Sequence, residues 1–578
     1  MNNTPRNEIL GHVLKTVQKP ARYVGGEYNQ IVKDKEKVNI RVAYCFPDTY
    51  EIGMSNLGLQ IMYGVLNSLE DVWCERVFAP WSDMEERMRE EGIALFALES
   101  GDALSEFDMV AFSIGFELSY TNILNMLSLA KIPLRAKDRA ENAPLIIAGG
   151  MCCYNPEPLA EFFDLFVIGE GEQVAAELID LFRGKKKAGI SKHELLSSAA
   201  EIPGIYVPAL YGVCYNEDNT IKSISPKQSA KFPVEKRIIK DLDNSYYPVN
   251  AIIPSMSIVH DRVSLELFRG CRRGCKFCQA GHVTGPVRAR KPETLIRQGI
   301  DALKNSGYNE VALLSLSSSD YEGLGELCEG LIDWCEPRNI NLSLPSLRAD
   351  NFSMELLEKI QKVRKSGLTF APEAGSQRLR DVINKNITEE DLLKTCEIAF
   401  GGGYNSIKLY FMLGLPTETD EDVIAIAELS RAVLHTWKKH AKNKSRGARI
   451  TISTSCFVPK PHTPFQKEPQ ITIEEYLRRV KLLKDSLQTK AITYNWHDPQ
   501  QGFIEAVLSR GDRKIGDVIE AAFQSGARLD SWSEHFSFDK WLAAFEKCGI
   551  DPAFYAHRTR KPGEILPWSV VSAKWSVN

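Results

Sequence analysis

The amino-acid sequence predicts an α/β protein with several domains, and three observations support this fold class. The stretches 107–113 and 145–150 are almost continuously apolar, which is typical of strands buried on both faces of a parallel sheet. From about residue 258, strand-like and helix-like segments alternate through about six units. The chain has 578 residues, too many for one hydrophobic core. We therefore expect a doubly wound N-terminal domain, a partial (β/α)6 barrel and a mainly helical C-terminal region.

Composition and charge narrow the functional classes. Hydrophobic residues make up 44% of the chain, charged residues 25%, and the net charge is −4. This balance by itself suggests neither nucleic acid nor a membrane surface as a partner. The 13 cysteines, without a secretory pattern at the N-terminus, are typical of a reducing compartment. No stretch approaches the ~18 apolar residues of a membrane span, so we expect a cytoplasmic protein without a membrane segment.

The predicted elements divide the chain into five regions. The residues before the first strand are polar and basic, and a stretch with short hairpin signals separates the two groups of strands. The expected regions are an N-terminal extension (1–38), a Rossmann-like domain (39–184), a connecting module (185–257), the barrel (258–469) and a C-terminal region (470–578).

The alternating pattern of the N-terminal domain predicts five strands and three helices. The strands are expected at 40–45, 72–78, 107–113, 145–150 and 163–169, and the helices at 56–69, 83–91 and 172–182. Ligands of doubly wound sheets bind beyond the carboxyl ends of the strands. These ends carry five candidate binding residues, namely Asp48, Gly53, Ser113, Gly149 and Gly150.

This set resembles the cobalamin-binding domain, whose first loop reads Asp-x-His-x-x-Gly, as 48–53 does here except at one position. The resemblance implies cobalamin as a candidate cofactor, with small residues leaving room for its nucleotide tail. Tyr50 stands where the family has its cobalt-ligating histidine, and a neutral phenol is a poor cobalt ligand. We therefore expect base-off cobalamin without a histidine ligand. The alternative is a repurposed sheet that only covers the active site.

Three closely spaced cysteines follow the apolar, strand-like run 263–268. Cys271, Cys275 and Cys278 form a C-x3-C-x2-C loop, which suits one metal centre. Three thiolates on a [4Fe-4S] cluster leave one iron open to chelate S-adenosylmethionine. The alternatives are a Cys3His zinc site completed by His282 and a set of buried free thiols. The long strand–helix alternation after the loop favours an enzyme over a short zinc-binding insertion.

The loop, with Phe277 before its third cysteine, resembles the signature of the radical S-adenosylmethionine (radical SAM) enzymes. The resemblance implies a partial (β/α)6 barrel with its active site at the carboxyl ends of the strands. The expected strands are 265–268, 311–316, 341–345, 368–372, 406–412 and 449–458, and the expected helices are 292–306, 323–335, 353–365, 389–401 and 421–439.

Polar motifs close the second, fourth and fifth of these strands. In the family, the first motif binds the amino group of S-adenosylmethionine. The second offers a carboxylate for a ribose or amino group and a guanidinium for the methionine carboxylate. The third resembles the adenine-side turn. The candidate cofactor-binding residues are, in that order, Ser317 and Ser318, Glu373, Ser376 and Arg378, and Gly414 and Pro416.

Together with these motifs, the stretches 47–59, 343–350 and 457–466 make the chain similar to a cobalamin-binding-type radical SAM family of bacterial proteins with unassigned reaction. This resemblance implies a small electron donor such as flavodoxin or ferredoxin. Methylthiotransferases, another radical SAM group, hold a second cluster on N-terminal cysteines. The N-terminal cysteines match that spacing poorly, so we expect buried structural thiols at Cys45, Cys74, Cys152 and Cys153.

Two further regions bear on partners. Residues 431–450 carry seven basic side chains and no acidic one. This stretch could meet RNA phosphates, although a solvated helix end and loop is the favoured interpretation. The C-terminal region is expected to hold helices at 473–487 and 512–526 and to cap the barrel mouth.

The leading hypothesis is a radical SAM enzyme that cleaves S-adenosylmethionine reductively, with cobalamin-dependent C-methylation of an unknown substrate as the candidate reaction. One alternative is radical SAM chemistry without cobalamin, including RNA-modifying, methylthiotransferase-like chemistry. The other is a non-catalytic, zinc-stabilised RNA-binding protein. Neither the substrate nor the product can be read from the sequence.

Overall fold

The computed structural model describes residue 7 and residues 11–344, 368–445, 447–487 and 489–574. The N-terminal domain is built on a six-stranded sheet with the order β2-β1-β3-β4-β5-β6. The strands are β1 (Ile40–Phe46), β2 (Val72–Phe78), β3 (Met109–Ser113), β4 (Leu145–Gly149), β5 (Leu165–Val167) and β6 (Ile205–Tyr206). The first five are parallel, and β6 is antiparallel to β5. The predicted α/β fold with a parallel sheet is confirmed.

Burial on both faces explains the apolar runs of this sheet. All seven residues of β2 are buried, as are four of the five residues of β4. The covering helices are α1 (Tyr50–Met54), α2 (Leu57–Asn67), α3 (Ser82–Glu90), α4 (Tyr120–Leu129), α5 (Glu172–Ala188) and α6 (Lys192–Ala199). The strand order reverses between β1 and β3, and sheets of this kind bind ligands at such a switch point.

The sheet extends past residue 184, where the sequence analysis placed the end of the domain. β6 pairs with β5 through Phe166 and Tyr206, and a two-residue strand is too short to show a periodicity. The predicted hairpin follows as β7 (Tyr211–Tyr215) and β8 (Ile221–Pro226), and β9 (Val234–Glu235) precedes the barrel.

The barrel contains two parallel sheets, one of three strands and one of four. The strands are β10 (Val263–Glu266), β11 (Phe268–Arg269), β12 (Arg288–Ala289), β13 (Glu310–Leu314), β14 (Asn341–Ser343), β15 (Leu368–Glu373), β16 (Ser406–Leu413), β17 (Arg449–Cys456) and β18 (Ile492–Trp496). Of these, β11 and β12 form a separate antiparallel ribbon. The sheet orders are β10-β13-β14 and β15-β16-β17-β18. The helices are α7 (Gln279–Val283), α8 (Pro292–Ser306), α9 (Leu324–Cys335), α10 (Gln377–Val382), α11 (Glu389–Gly401) and α12 (Asp420–His440).

Each of the six predicted barrel strands overlaps one of these strands. The predicted helix 353–365 and most of the family stretch 343–350 lie outside the described residues. The sequence analysis did not identify β18, which pairs with β17 beyond residue 469, the predicted end of the barrel. Residues 492–496 read Ile-Thr-Tyr-Asn-Trp, an apolar–polar alternation that is typical of a half-buried strand but covers only five positions.

The C-terminal region joins the two domains. Its elements are α13 (Ile473–Ser486), α14 (Pro499–Arg510), α15 (Ile515–Gln524), α16 (Phe538–Cys548), α17 (Ala553–Ala556) and β19 (Val571–Ser572), which pairs with β9. Phe503 and Ile519 share a hydrophobic core with the N-terminal sheet. Glu505 of α14 and Glu117 of the N-terminal domain each accept from Lys460 at 2.8 Å, just after β17. The region therefore packs against the N-terminal domain as well as the barrel edge, whereas the sequence analysis expected only a cap over the barrel mouth.

Among the residues that the structure describes, no helix combines the length and apolar character needed to cross a membrane.

Candidate active site and cofactor cavity

The cysteine loop follows β11, at the carboxyl end of the first barrel strand, and backbone contacts hold it. Gly270 has a φ of 91°, and a Cβ there would lie 2.6 Å from the Pro286 carbonyl oxygen, so glycine is required. Asn384 Nδ2 donates to the carbonyl oxygens of Arg273 and Gly274 at 3.2 and 2.9 Å. The loop therefore has a defined shape at the end of the barrel where active sites form.

Cys271 and Cys278 lie beside the same space next to Gly281. A Cβ on Gly281 would lie 3.6 Å from Cys278 Sγ and 3.8 Å from Cys271 Cβ. Cys278 Sγ accepts a hydrogen bond from Gly281 N at 3.4 Å. Burial raises the pKa of Cys278, while this N–H and the Lys385 ammonium act in the opposite direction. The three loop cysteines are partly buried, and their thiolates are the donors that an iron–sulfur cluster uses.

The position of His282 bears on the zinc alternative. Its Nε2 lies 3.1 Å from the carbonyl oxygen of Cys275, so this nitrogen already faces a backbone partner. Within the described ranges, no three His, Cys, Asp or Glu side chains gather as they would around one metal ion. A [4Fe-4S] cluster spreads its thiolates over different irons. The three thiolates need not converge on a single ion to hold a cluster, and a cluster on this loop stays the prediction.

The turn after β13 places an unpaired hydroxyl near the cysteine loop. Ser317 is 2% exposed, and its Oγ has no hydrogen-bond partner in the described part of the chain. It lines a cavity of about 80 Å³ together with Cys271 and Tyr321. Ser318 Oγ is bonded to the carbonyl oxygen of Leu313 at 3.1 Å. Of the two predicted serines, Ser317 is therefore the one available to a ligand, and Ser318 stabilises the turn.

Glu373, the last residue of β15, lies near the third cysteine and contributes to the charge environment of Cys278. Its Oε1 accepts from Lys385 Nζ at 3.1 Å. Lys385 Nζ also lies 6.0 Å from the centre of the Phe277 ring. A carboxylate and an ammonium group thus stand beside Cys278, and the sequence had predicted only the carboxylate.

Ser376 and Arg378 make contacts within the barrel. Ser376 is the N-cap of α10, and its Oγ accepts from Leu379 N at 3.1 Å. Arg378 forms an ion pair with Asp422 and donates to the Thr417 carbonyl oxygen at 2.8 Å. About half of the Arg378 side chain is exposed. Arg378 therefore stabilises the turn after β16. Its pairing with a methionine carboxylate stays a prediction.

Gly414 and Pro416 lie in that turn. Gly414 has a φ of 88°, and its N–H donates to Glu418 Oε2 at 2.6 Å. Glu418 also pairs with Arg479, and burial raises its pKa to about 7. The buried carboxyl fixes the backbone of the turn, so the two residues are placed by a rigid loop, as a nucleotide-binding turn requires.

A cavity of about 620 Å³ lies at the carboxyl ends of the N-terminal strands. Ser113 at the end of β3 lines it, as do Gly149 and Gly150 at the end of β4. A Cβ on Gly149 would meet no atom within 4 Å, so this strand end is open to the cavity. The volume falls within the roughly 300–1,000 Å³ of small-molecule and cofactor sites. Three of the five residues predicted from strand ends are therefore brought together here.

The barrel supplies the opposite wall of the same cavity. Gly270 and Ala280 line it on either side of the cluster cysteines, together with Phe268 of β11 and Leu316 after β13. Leu316 is 46% exposed and directly precedes Ser317. A ligand in the cavity would therefore contact the cysteine loop and the edge that is predicted to bind S-adenosylmethionine.

The structure does not bring Asp48 and Gly53 to this cavity. Asp48 accepts hydrogen bonds from Trp532 Nε1 at 2.9 Å and from Ser531 Oγ at 3.2 Å. A Cβ on Gly53 would lie 2.3 Å from a ring carbon of Phe78. Asp48 is thus occupied by the C-terminal region and Gly53 by helix–strand packing, contacts that a loop motif cannot reveal.

Tyr50 also points away from the cavity. It is 1% exposed, and its hydroxyl donates to Glu27 Oε1 at 3.0 Å. Burial raises the pKa of the phenol well above its usual range. The residue at the position of the family's histidine is therefore part of the domain core.

Four charged residues of the cavity wall were missed by the sequence-based prediction. Arg269 pairs with Glu172 at 2.8 Å, with Glu266 at 2.9 Å and with Glu170 at 3.4 Å, and all four line the cavity. The stretch 169–172 reads Gly-Glu-Gly-Glu and begins two residues after the end of β5, the last parallel strand of the N-terminal sheet. Small residues at that strand end were the available signal, as they were for Gly149 and Gly150.

The N-terminal cysteines are buried, as expected for structural thiols. Burial raises the pKa of each of them, which disfavours the thiolate that a metal needs. They are Cys45, Cys74, Cys152 and Cys153.

The basic stretch lies at the other end of the barrel from the cysteine loop. It covers the end of α12 and the start of β17, while the loop lies at the carboxyl ends of the strands. β17 has eight residues, about 26 Å of extended chain. Any RNA bound to this stretch would therefore have to span that length to reach the cluster.

Comparison with protein-family models gives two matches. Residues 58–208 match the family described as radical SAM proteins, N-terminal, and residues 265–430 match the radical SAM superfamily. The chain carries a radical SAM domain. The second match includes the cysteine loop and the barrel strands from β11 to β16, which bear the predicted motifs. The prediction of a radical SAM enzyme is therefore confirmed, whereas its reaction and substrate stay predictions.

Relatives and solved structures extend this result. An uncharacterized protein of Methanocaldococcus jannaschii is 28% identical over 516 residues, which cover 88% of this chain and 97% of that protein. A tRNA-2-methylthio-N(6)-dimethylallyladenosine synthase of Pelotomaculum thermopropionicum is 25% identical over 44% of this chain, and the match spans only 55% of its own length. The radical S-adenosylmethionine methyltransferase TsrM of Kitasatospora setae, solved with cobalamin and a [4Fe-4S] cluster bound, superposes with a TM-score of 0.51 at 14% identity, over 74% of this chain and 77% of that one. At this identity the superposition supports the fold.

Proposed function

We propose that the protein is a cobalamin-dependent radical SAM enzyme that methylates a carbon of a substrate yet to be identified. The observation that carries the proposal is the 620 Å³ cavity, whose walls include both the N-terminal strand ends and the cysteine loop. A cofactor held there would lie next to the cluster. Small residues at the strand ends and the open space beside the cysteine loop would leave room for part of such a cofactor.

The bound [4Fe-4S] cluster, S-adenosylmethionine and cobalamin would supply the radical chemistry and a methyl carrier. In this chain, Cys271, Cys275 and Cys278 would hold the cluster, and the Ser317 hydroxyl would accept from the ammonium group of S-adenosylmethionine. The cavity walls would exclude water and oxygen. A small electron donor such as flavodoxin or ferredoxin would provide the electron.

Cobalamin would bind base-off and without a protein nitrogen on cobalt. Tyr50 is buried against Glu27 and lies outside the cavity, and His282 faces the Cys275 carbonyl. Paramagnetic resonance of bound cob(II)alamin should therefore show no nitrogen superhyperfine splitting. Splitting of that kind would contradict this part of the proposal.

The second candidate is cobalamin-free chemistry of the methylthiotransferase type on RNA, favoured by the similarity to tRNA-modifying synthases. Those enzymes need a second cluster, however, and the N-terminal thiols are buried in the domain core. The cavity would then have no assigned ligand.

Anaerobic reconstitution tests the proposal without a known substrate. The protein would be loaded with iron, sulfide and hydroxocobalamin, then given S-adenosylmethionine with a deuterated methyl group and a strong reductant. We expect 5′-deoxyadenosine and transfer of the label to cobalamin, both by mass spectrometry. The triple variant with alanine at the three loop cysteines should bind cobalamin but form no 5′-deoxyadenosine. A full cluster without cobalamin uptake would reject methyl transfer through cobalt, and tight zinc binding with neither product would reject the enzyme.

A further inference from the structure

We infer that Glu172 anchors the ligand of this cavity by accepting a hydrogen bond from a primary amide group at the edge of a corrin ring. The inference rests on the proposed function and deepens it, because it names one residue that selects the ligand's side chains. Its basis is the state of the polar groups in the cavity wall.

Most polar groups of the wall are already satisfied. Glu266 accepts from Arg269 through both carboxylate oxygens, at 2.9 and 3.1 Å. Glu170 Oε2 accepts from Arg288 at 2.8 Å and from the backbone N–H of Ile239. Glu266 therefore has little remaining capacity for a ligand, whereas the bonds to Glu170 all fall on one oxygen, Oε2. Both carboxylates stabilise the junction between the domains.

Within the described part of the chain, Glu172 has the fewest partners of these three carboxylates. Its Oε1 pairs with Arg269 at 2.8 Å. Its Oε2 has no hydrogen-bond partner in the described part of the chain, although the side chain is only 11% exposed. The residue lines the cavity, and Oε2 is not among the fully buried atoms that lack a partner, so this oxygen is open to the cavity. A ligand that supplies an N–H group could therefore donate to it.

The position of Glu172 on its helix also limits the orientation of its carboxylate. It is the first residue of α5, where the helix dipole favours a negative side chain. Arg269 holds one of its oxygens and so limits the rotation of the carboxylate. The rest of the wall is largely apolar, with Ile61, Met62 and Ile147 among its members. The free oxygen is therefore a preorganised acceptor that lies beside Arg269 and faces a largely apolar space.

The chemistry of the acceptor selects the donor. A carboxylate accepts hydrogen bonds and donates none, so it suits a primary amide N–H and repels a second carboxylate. Primary amides surround the corrin ring of cobalamin. Replacing one of them by a carboxylate should weaken binding only when that amide is the one that meets Glu172.

The test compares hydroxocobalamin with its isomeric monocarboxylates, in each of which one peripheral amide is hydrolysed. Dissociation constants would be measured by equilibrium dialysis for the wild type, Glu172→Gln and the control Glu177→Gln. Glu177 lies on the same helix but pairs with Arg237, and it does not line the cavity. Iron content and thermal unfolding would confirm that all three proteins fold alike.

We expect the wild type to bind one monocarboxylate about tenfold more weakly than hydroxocobalamin. Glu172→Gln should reduce this difference to less than about threefold, because the amide of glutamine can donate to the ligand's carboxylate. Glu177→Gln should keep it. Equal affinity of the wild type for every isomer, or an unchanged preference in Glu172→Gln, would overturn the inference while leaving the proposed function intact. If the wild type binds no cobalamin at all, the proposed function fails and this inference fails with it.

Discussion

Two adjacent glycines at the end of β4 should respond in opposite ways to substitution. Gly149 lines the cavity, and a Cβ there would meet no atom within 4 Å. Gly150 has a φ of 107° and a ψ of −175°, a region that is essentially restricted to glycine. A Cβ on Gly150 would also lie 2.6 Å from the carbonyl oxygen of Ile114. Gly149→Leu should therefore project into the cavity and spare the sheet, whereas Gly150→Ala should disturb the sheet.

The size of each effect follows from these contacts. The strained backbone of Gly150→Ala should lower the free energy of unfolding by about 1–3 kcal/mol. Gly149→Leu should leave the free energy of unfolding within about 1 kcal/mol of the wild type, because it replaces a glycine inside a strand. A ligand forced against the new leucine loses about 1–3 kcal/mol of binding free energy. The dissociation constant of cobalamin should therefore rise about 5- to 150-fold.

Urea denaturation would give the free energy of unfolding, and equilibrium dialysis with hydroxocobalamin would give the dissociation constant. The matched control is Gly184→Leu, because Gly184 is exposed on α5, away from the cavity, and a Cβ there would meet no atom within 4 Å. The control should bind cobalamin like the wild type. An unchanged dissociation constant for Gly149→Leu would show that cobalamin, if bound, lies elsewhere. Wild-type stability of Gly150→Ala would refute the backbone argument.

Other residues give independent tests. The loop cysteines are Cys271, Cys275 and Cys278, and alanine at any of them should abolish the cluster absorbance after anaerobic reconstitution. Alanine at the exposed Cys214 should not. Ser317→Ala should weaken S-adenosylmethionine binding roughly tenfold by calorimetry, with iron content unchanged, because a hydrogen bond to a charged group is lost. Burial raises the pKa of Asp530 to about 6. Between about pH 4 and 6 the carboxyl group is therefore protonated in the folded protein and ionised in the unfolded chain, so the free energy of unfolding falls as the pH rises through this range. Urea unfolding of Asp530→Asn should show an advantage over the wild type that grows by up to ~3 kcal/mol across that range; an advantage independent of pH would contradict the assignment.

Local patterns explain which parts of the fold were predictable. The cysteine loop and the buried strands depend on neighbouring residues, so spacing and apolar runs revealed them. The edge strand β18 alternates apolar and polar residues but has exposed residues at three of its five positions, and this short signal was missed. Asp48 was assigned from a loop motif, but its partner Trp532 lies in a distant part of the sequence. Contacts of that kind depend on how the C-terminal region packs, and no local signal encodes them.

The same limit applies to the cavity. Gly149 and Gly150 were found because small residues at a strand end are visible in the sequence, whereas the pairing of Glu172 with Arg269 joins two domains. No local pattern encodes how these two domains are placed against each other. Sequence analysis therefore predicted the type of ligand through a family resemblance, and it missed the charged residues that would contact that ligand.

The cavity also bears on whether the N-terminal sheet is a repurposed cover without a ligand. The cavity wall is largely apolar, and apolar surface left in contact with water costs free energy in proportion to its area. A sheet that served only as a cover could fill the space with larger side chains at Gly149, Gly171 and Ala280, which line the wall. A Cβ at Gly149 would meet no obstacle in the structure. Small residues at positions where larger ones would fit are therefore better explained by a ligand that occupies the space, and the dialysis experiment on Gly149→Leu decides between the two interpretations.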